Sequence, residues 1–214
     1  MGSDPIFNPI MTIQHQTGRA RSGELQIHFR RLGKPGATPA LIVHGLSYFS
    51  WDWLEVAQAL GADREVIAID MRGFGESDCS AAKDYSVPSM AKDILAVLEH
   101  AGWPRALLFG HSMGGRSTTY VAAKHPERVA ALVLVDYTPQ NAPEGAKRTT
   151  HIVANTPDAF ASIEEAMEYF DETDRARFEQ YLKKTDQGLV VKQGQVAARD
   201  VMIKGDGPSR DESM

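Results

Sequence analysis

Four short apolar runs constrain the architecture more than any other feature of the chain. They are Pro39–His44 (P-A-L-I-V-H), Val66–Ile69 (V-I-A-I), Ala106–Phe109 (A-L-L-F) and Val129–Val135 (V-A-A-L-V-L-V). Each is short and apolar at successive positions, as a strand buried on both faces must be. Stretches of helical spacing lie between them. Trp51–Leu60 stops at Gly61, Ser89–Ala101 sets Met90, Ile94, Val97 and Leu98 on one face, and Gly114–Lys124 follows the third run. Glu24–Leu32 alternates partly, like a half-buried strand. Strands alternating with helices imply an α/β fold: a mostly parallel sheet with helices on both faces.

Composition narrows the function classes. The chain is 43% hydrophobic and 24% charged, enough for a packed core, and its net charge of −5 offers no footprint for nucleic acid or an anionic membrane. No apolar run is long enough to span a bilayer. The single cysteine, Cys79, rules out a disulfide framework and favours a reducing, cytoplasmic setting; it lies in a polar loop without a catalytic partner. The histidines lack ligand spacing such as H-E-x-x-H, and G-F-G-E-S at Gly73–Ser77 lacks the ending of a phosphate loop. Neither a metal nor a cofactor is expected.

The character of the chain changes after Asp136. Thr138–Lys147 is a polar loop. Two amphipathic helices are then expected, one with the stripe Phe160, Ile163, Met167 and Phe170, the other with Phe178, Tyr181 and Leu182. Residues 1–10 read as a cloning remnant, 11–138 as the core, 139–200 as a helical lid and 201–214 as a disordered tail.

G-H-S-M-G at Gly110–Gly114 lies between the third strand and its helix. It fits the G-x-S-x-G nucleophile elbow, in which an abrupt strand-to-helix turn holds a strained serine at its tip. Side chains two residues before and after would collide, so both positions are expected to be glycine. The helix N-terminus offers unpaired N–H groups to a developing oxyanion.

With that motif in place, the chain resembles an α/β-hydrolase. V-H-G-L at Val43–Leu46 resembles the family's oxyanion loop, D-M-R-G-F-G-E-S at Asp70–Ser77 its D-x-R-G-x-G-x-S stretch, and V-L-V-D-Y-T-P at Val133–Pro139 the strand leading into its lid. The likeness runs from about Leu25 to Pro139. It implies Ser112 as nucleophile and the N–H groups of Leu46 and Met113 as the oxyanion hole. Asp70, Arg72 and Gly73 would brace the site, although a plain surface ion pair between Asp70 and Arg72 is an equal alternative. Serine at this position implies an ester, lactone, amide or carbon–carbon hydrolase; relatives acting on epoxides or haloalkanes use aspartate.

The base is the missing piece. A serine hydroxyl needs a histidine to take its proton, usually one oriented by a carboxylate. His15 is in the tail, His28 in an early strand, His44 in the oxyanion loop, where it would brace, and His100 at a helix end. His111 adjoins Ser112, but the elbow turns successive side chains apart. His125 is about 20 Å along the helix at 1.5 Å per residue. His151, where the lid begins, has no supporting pattern. Asp136 ends the strand after the nucleophile helix, on the same rim as Ser112; it is a candidate acid, or it caps the turn into the lid. The two strand–helix units that the resemblance implies downstream, carriers of the acid and histidine, are not recognisable. A fragment, an altered downstream frame or further residues outside this sequence are the expected alternatives, with Val129–Val135 otherwise left as an exposed apolar edge able to pair with another copy.

The expected function is cleavage of a small carboxylic ester or lactone through an acyl-enzyme on Ser112, with an apolar pocket beneath the lid. Carbon–carbon bond hydrolysis and a non-catalytic binding domain are the alternatives.

Overall fold

A six-stranded sheet carries the chain in the computed structural model, which describes residues 13–139, 151, 155–186 and 188–191. Its strands are β1 (Gln16–Ser22), β2 (Leu25–Gly33), β3 (Ala40–Val43), β4 (Glu65–Ile69), β5 (Ala106–His111) and β6 (Val129–Val135). They lie in the order β1-β2-β4-β3-β5-β6. β4, β3, β5 and β6 run parallel, and the hairpin β1–β2 joins β4 antiparallel. The fold class is α/β with a mostly parallel sheet, as the apolar runs predict.

The side chains of the inner strands divide by parity. Leu41, Val43, Ile67, Ile69 and Leu108 join one core cluster, while Ala40, Ile42, Val66 and Ala68 join the other. Successive residues of a strand point to opposite faces, so a strand covered on both sides has to be apolar throughout. The first cluster is closed by α2 (Val87–His100), through Met90, Ile94, Val97 and Leu98, and by α3 (Met113–Lys124), through Val121. The second is closed by α1 (Leu54–Leu60) and by the segment beyond residue 155.

That segment holds α4 (Ile163–Phe170), α5 (Arg175–Tyr181) and a hairpin of β7 (Leu182–Thr185) with β8 (Gly188–Val191). Phe160, Phe178 and Tyr181 are buried in the same cluster as Phe49, Trp51 and Leu54. The two apolar stripes thus pack onto the core. Ser162 and Asp174 cap their helices by accepting from the N–H of Glu165 and Arg177.

Three elements differ from expectation. β1 (Q-T-G-R-A-R-S) is too polar to read as a strand; it is an edge strand in which only Ala20 is fully buried. Leu182 opens β7 instead of ending a helix. Ser50–Trp53 forms a 3-10 turn before α1, because Asp52 accepts from the Phe49 N–H and Asp70 from the Ser50 N–H, which fixes the entry. Residues 1–10, most of loop 138–147 and the tail 201–214 lie outside the described residues.

The two sheet edges are unlike. β1 presents Arg19 and Arg21, the charged protection expected of an edge. On the outer side of β6 no described residue pairs, and Val133, Leu134 and Val135 are 40%, 43% and 37% exposed. We expect the 214-residue chain to self-associate with rising concentration, and Leu134→Lys to shift it toward monomer in sedimentation velocity. Monomer at all concentrations for the unsubstituted chain would refute this.

Candidate active site

The C-terminal ends of the parallel strands meet on one rim, where open α/β sheets place their ligands. β5 ends at His111 and α3 begins at Met113, so Ser112 alone makes the turn. Its N–H donates to Val135 O at 3.0 Å, prolonging the ladder to β6, and its carbonyl accepts from the Gly115 N–H at 2.9 Å. The backbone angles of Ser112 are φ 47°, ψ −110°. An L-residue held there costs about 1–3 kcal/mol and persists only where its surroundings enforce it.

The elbow glycines are required by different neighbours from those expected. A Cβ at Gly110 would lie 2.1 Å from Thr118 Oγ1 and 2.7 Å from Gly115 Cα, and one at Gly114 would lie 2.3 Å from Val43 O and 2.6 Å from His44 O. The helix start is therefore wedged against both its own strand and β3, and the two positions do not chiefly collide with each other. Thr118 Oγ1 donates to the Gly114 and Gly115 carbonyls, at 2.9 and 3.1 Å, and fills the remaining space.

The loop after β3 passes directly over this turn. A Cβ on Gly45 would lie 3.1 Å from Ser112 Cβ and 2.6 Å from His111 Nδ1. Among the described residues nothing accepts a hydrogen bond from the Leu46 N–H. Met113 opens α3, so its N–H has no acceptor within the helix. The Leu46 and Met113 side chains pack against the same core cluster.

His44 holds that loop from below. It is fully buried and accepts from the Met71 N–H through Nε2 at 2.9 Å. An amide must donate, so the proton of the neutral ring sits on Nδ1 and is given to Gly45 O at 2.6 Å. Burial lowers its pKa against smaller opposing effects of the Gly45 carbonyl and the Asp70 and Asp52 carboxylates.

Asp70 braces a wider area. The carboxylate is buried, with Oδ2 2.8 Å from His28 Nδ1 and 3.8 Å from Arg30 Nη1. The Ser50 N–H donates to Oδ1 at 2.7 Å and the Glu76 N–H to Oδ2 at 3.0 Å. Burial alone would raise its pKa; His28, Arg30 and the Glu76 amide outweigh burial and hold it well below the ordinary carboxylate range. Arg72 is not Asp70's partner. Its guanidinium is bidentate to buried Asp93, at 2.6 and 2.8 Å, and donates to the carbonyls of Asp84 and Ser89. The alternative of a surface ion pair fails: both residues are buried, each in its own network.

No histidine hydrogen-bonds Ser112 Oγ among the described residues. His15 bonds the Ile13 carbonyl, His28 is engaged by Asp70, His100 packs on Phe29, His125 lies 3.7 Å from Glu127, and His151 faces Asn155. His111 turns Nδ1, buried and unpartnered, toward Gly45 and Nε2 toward Asp136 Oδ2 at 4.0 Å. Burial lowers its pKa, opposed by Asp136 and Asp52. Asp136 itself stands on the Ser112 rim with φ 47° and a side chain 90% exposed. The structure thus brings Ser112, Leu46, Met113 and Asp136 to one rim, where no described histidine hydrogen-bonds the hydroxyl.

Sequence patterns miss a second layer around the site. Trp53 and Tyr48 contact the His111 ring, with centroids 5.6 and 5.0 Å away. Arg177, from α5, donates to Asp52 at 2.5 Å. The separation of 125 positions leaves no local signal for that pair.

Comparison with known proteins agrees with the α/β fold. The family model described as "alpha/beta hydrolase fold" matches residues 38–188. The chain belongs to this family. Among curated relatives it is 38% identical over 117 residues to the dihydrolipoyllysine-residue acetyltransferase component of the acetoin cleaving system of Pseudomonas putida, covering 55% of this chain and 31% of that protein. It is 28% identical over 120 residues to epoxide hydrolase 4 of Mus musculus, covering 56% and 33%. The chain spans about a third of the length of these two relatives. Among solved structures, E-2-(acetamidomethylene)succinate hydrolase aligns with a TM-score of 0.80 and 25% identity, covering 89% of this chain and 73% of that one. An alpha/beta hydrolase of Novosphingobium aromaticivorans aligns with a TM-score of 0.72 and 26% identity, covering 86% and 70%. Among the described residues no helix is long and apolar enough to cross a membrane, and no cluster of metal-ligating side chains is present.

The two buried bracing groups predict an acid-side loss of stability in two limbs. His44 has a lowered folded pKa, so the unfolded state binds more protons below about pH 6.5 and stability falls as pH drops through that range. Asp70 also has a lowered folded pKa; its contribution is complete above about pH 4 and is lost as pH falls further. Each limb has a limiting slope of about 1.4 kcal/mol per pH unit per group. Urea titrations between pH 8 and pH 3 measure both. His44→Gln is expected to reduce the upper slope, leaving a smaller part from His111, and to spare the limb below pH 4. An unchanged upper slope would assign it elsewhere.

Proposed function

We propose that the chain carries the nucleophilic half of a serine hydrolase acting on a small carboxylic ester or lactone. The observation that carries this reading is the backbone of Ser112, held at φ 47° between two glycines and beneath the Gly45–Leu46 backbone. Ser112 Oγ attacks the carbonyl carbon, the N–H groups of Met113 and Leu46 receive the oxyanion, the leaving alkoxide departs with a proton, and water releases the acyl group. The proton acceptor is supplied by none of the histidines described above. Asp136, exposed on the same rim, is suited to orienting a base that docks there. Family membership and the likeness to hydrolase structures support the reaction class.

A second reading is favoured by the absence of a base near Ser112 among the described residues: a binding domain that keeps the cleft without turnover. A fluorophosphonate probe separates the two. Mass spectrometry is expected to show one adduct, on Ser112, that Ser112→Ala abolishes. Hydrolysis of p-nitrophenyl butyrate by the full protein should fall on the order of a thousand-fold or more in that variant. A ligand that raises Tm while the probe leaves Ser112 unmodified would favour the binding domain. Cleavage of a dienoic ring-fission product without esterase activity would move the assignment to carbon–carbon hydrolysis.

A further inference from the structure

The segment beyond residue 155 meets the loop over Ser112 through apolar packing, with Phe49 against Tyr181, and through one charged side chain. Arg177 projects from α5 and is largely buried, with 19% of its side chain exposed. Its Nε donates to Asp52 Oδ1 at 2.5 Å, and Nη2 to the Ser47 carbonyl at 3.4 Å. The guanidinium also lies over the rings of Tyr48, Tyr181 and Phe178, at 5.6, 5.2 and 6.0 Å. Asp52 spends its second oxygen on the Phe49 N–H at 2.9 Å. One cation therefore ties α5 to both ends of the stretch Ser47–Asp52.

Ser47 itself has φ 64°, a conformation that a non-glycine residue holds only under constraint. Leu46 precedes it, so a rotation about Ser47 would swing the Leu46 peptide. Tyr48, the next residue, meets the His111 ring edge-on. Burial disfavours the charge on Arg177, but Asp52 outweighs burial and raises its pKa, so the cation is retained. A guanidinium fork matches a carboxylate and a carbonyl at once; a lysine ammonium is a single point charge and does not.

From this geometry we propose that Arg177 is a positioning residue that locks the loop carrying the Leu46 amide, so that docking of the 155–191 segment sets the oxyanion hole. The proposal rests on the serine-hydrolase reading for its catalytic meaning, but its structural content is separately measurable. Withdrawal of α5 removes the donor from the Ser47 carbonyl and the cation from Asp52, whose other oxygen holds the Phe49 N–H. The loop then has reason to relax.

The test is hydrogen exchange by mass spectrometry on the peptide spanning residues 44–53, using Arg177→Met, which keeps the apolar stem and removes the fork, and Arg177→Lys, which restores charge alone. Measurements are made where circular dichroism shows each variant folded. Exchange of this peptide is expected to quicken about ten-fold or more in Arg177→Met and by a smaller factor in Arg177→Lys, while the β4 peptide keeps its wild-type rate. Phosphonylation of Ser112 should slow in the same order. Unchanged exchange at 44–53 in Arg177→Met overturns the proposal, as does an equal rise in the β4 peptide, which would mark general destabilisation. If Arg177→Met fails to fold, Asp52→Asn replaces it with the same expected pattern. Failure of wild-type Ser112 to react with the probe would sink the hydrolase reading instead, and the exchange result alone would then decide the lock.

Discussion

The buried carboxylate of Asp70 is the interaction on which the rim depends. It sits at the end of β4 and gathers a ring nitrogen from β2, a backbone amide from the turn after the Leu46 loop and another from the Gly73–Ser77 turn. Removing it would leave His28, Arg30 and two amides facing an apolar interior, and losing one partner of a buried pair commonly costs about 3–5 kcal/mol. Its neighbour Met71 extends the same support, because its amide is the donor that fixes the tautomer of His44. Two consecutive residues thus hold the loop that carries the Leu46 amide at both ends, through Gly45 and through Ser50. The D-M-R-G stretch contributes no reacting group; it supplies the rigidity that a preorganised site requires.

Much of this was legible in the residues, for physical reasons. A strand covered on both faces must be apolar at every position, so A-L-I-V and V-I-A-I declare themselves; V-A-A-L-V-L-V reads the same way, although β6 is half-exposed in the described structure. The elbow is legible because its geometry tolerates so few residues. β1 is not, because an edge strand is stabilised by ladder hydrogen bonds and shared water, and Q-T-G-R-A-R-S carries no apolar signal. Leu182 is misread because an apolar residue after Phe178 and Tyr181 continues a helical stripe as readily as it starts a strand. The arrangement of Arg177, Asp52 and Ser47 is invisible for another reason: ion pairs between distant segments leave no periodicity.

The glycines teach a similar lesson. Their presence in G-H-S-M-G was read as mutual avoidance, and a Cβ at Gly110 would indeed lie 2.9 Å from Gly114 O, but closer contacts come from Thr118 and Gly115 and, for Gly114, from the carbonyls of Val43 and His44. The expected cause was right in part, because sequence spacing shows which residues are near along the chain and not what a neighbouring strand brings. The same limit governs the base. Seven histidines can be counted, and none of those described hydrogen-bonds Ser112 Oγ, a fact about placement that no count contains.

The conformation of Ser112 has an evolutionary corollary. Its left-handed backbone is maintained against a preference that glycine lacks. A descendant released from chemistry would gain thermodynamically by exchanging that serine for glycine, so reactivity and robustness pull in opposite directions at this single position. On the hydrolase reading proposed above, the hydroxyl is held there at a backbone cost that glycine would not incur.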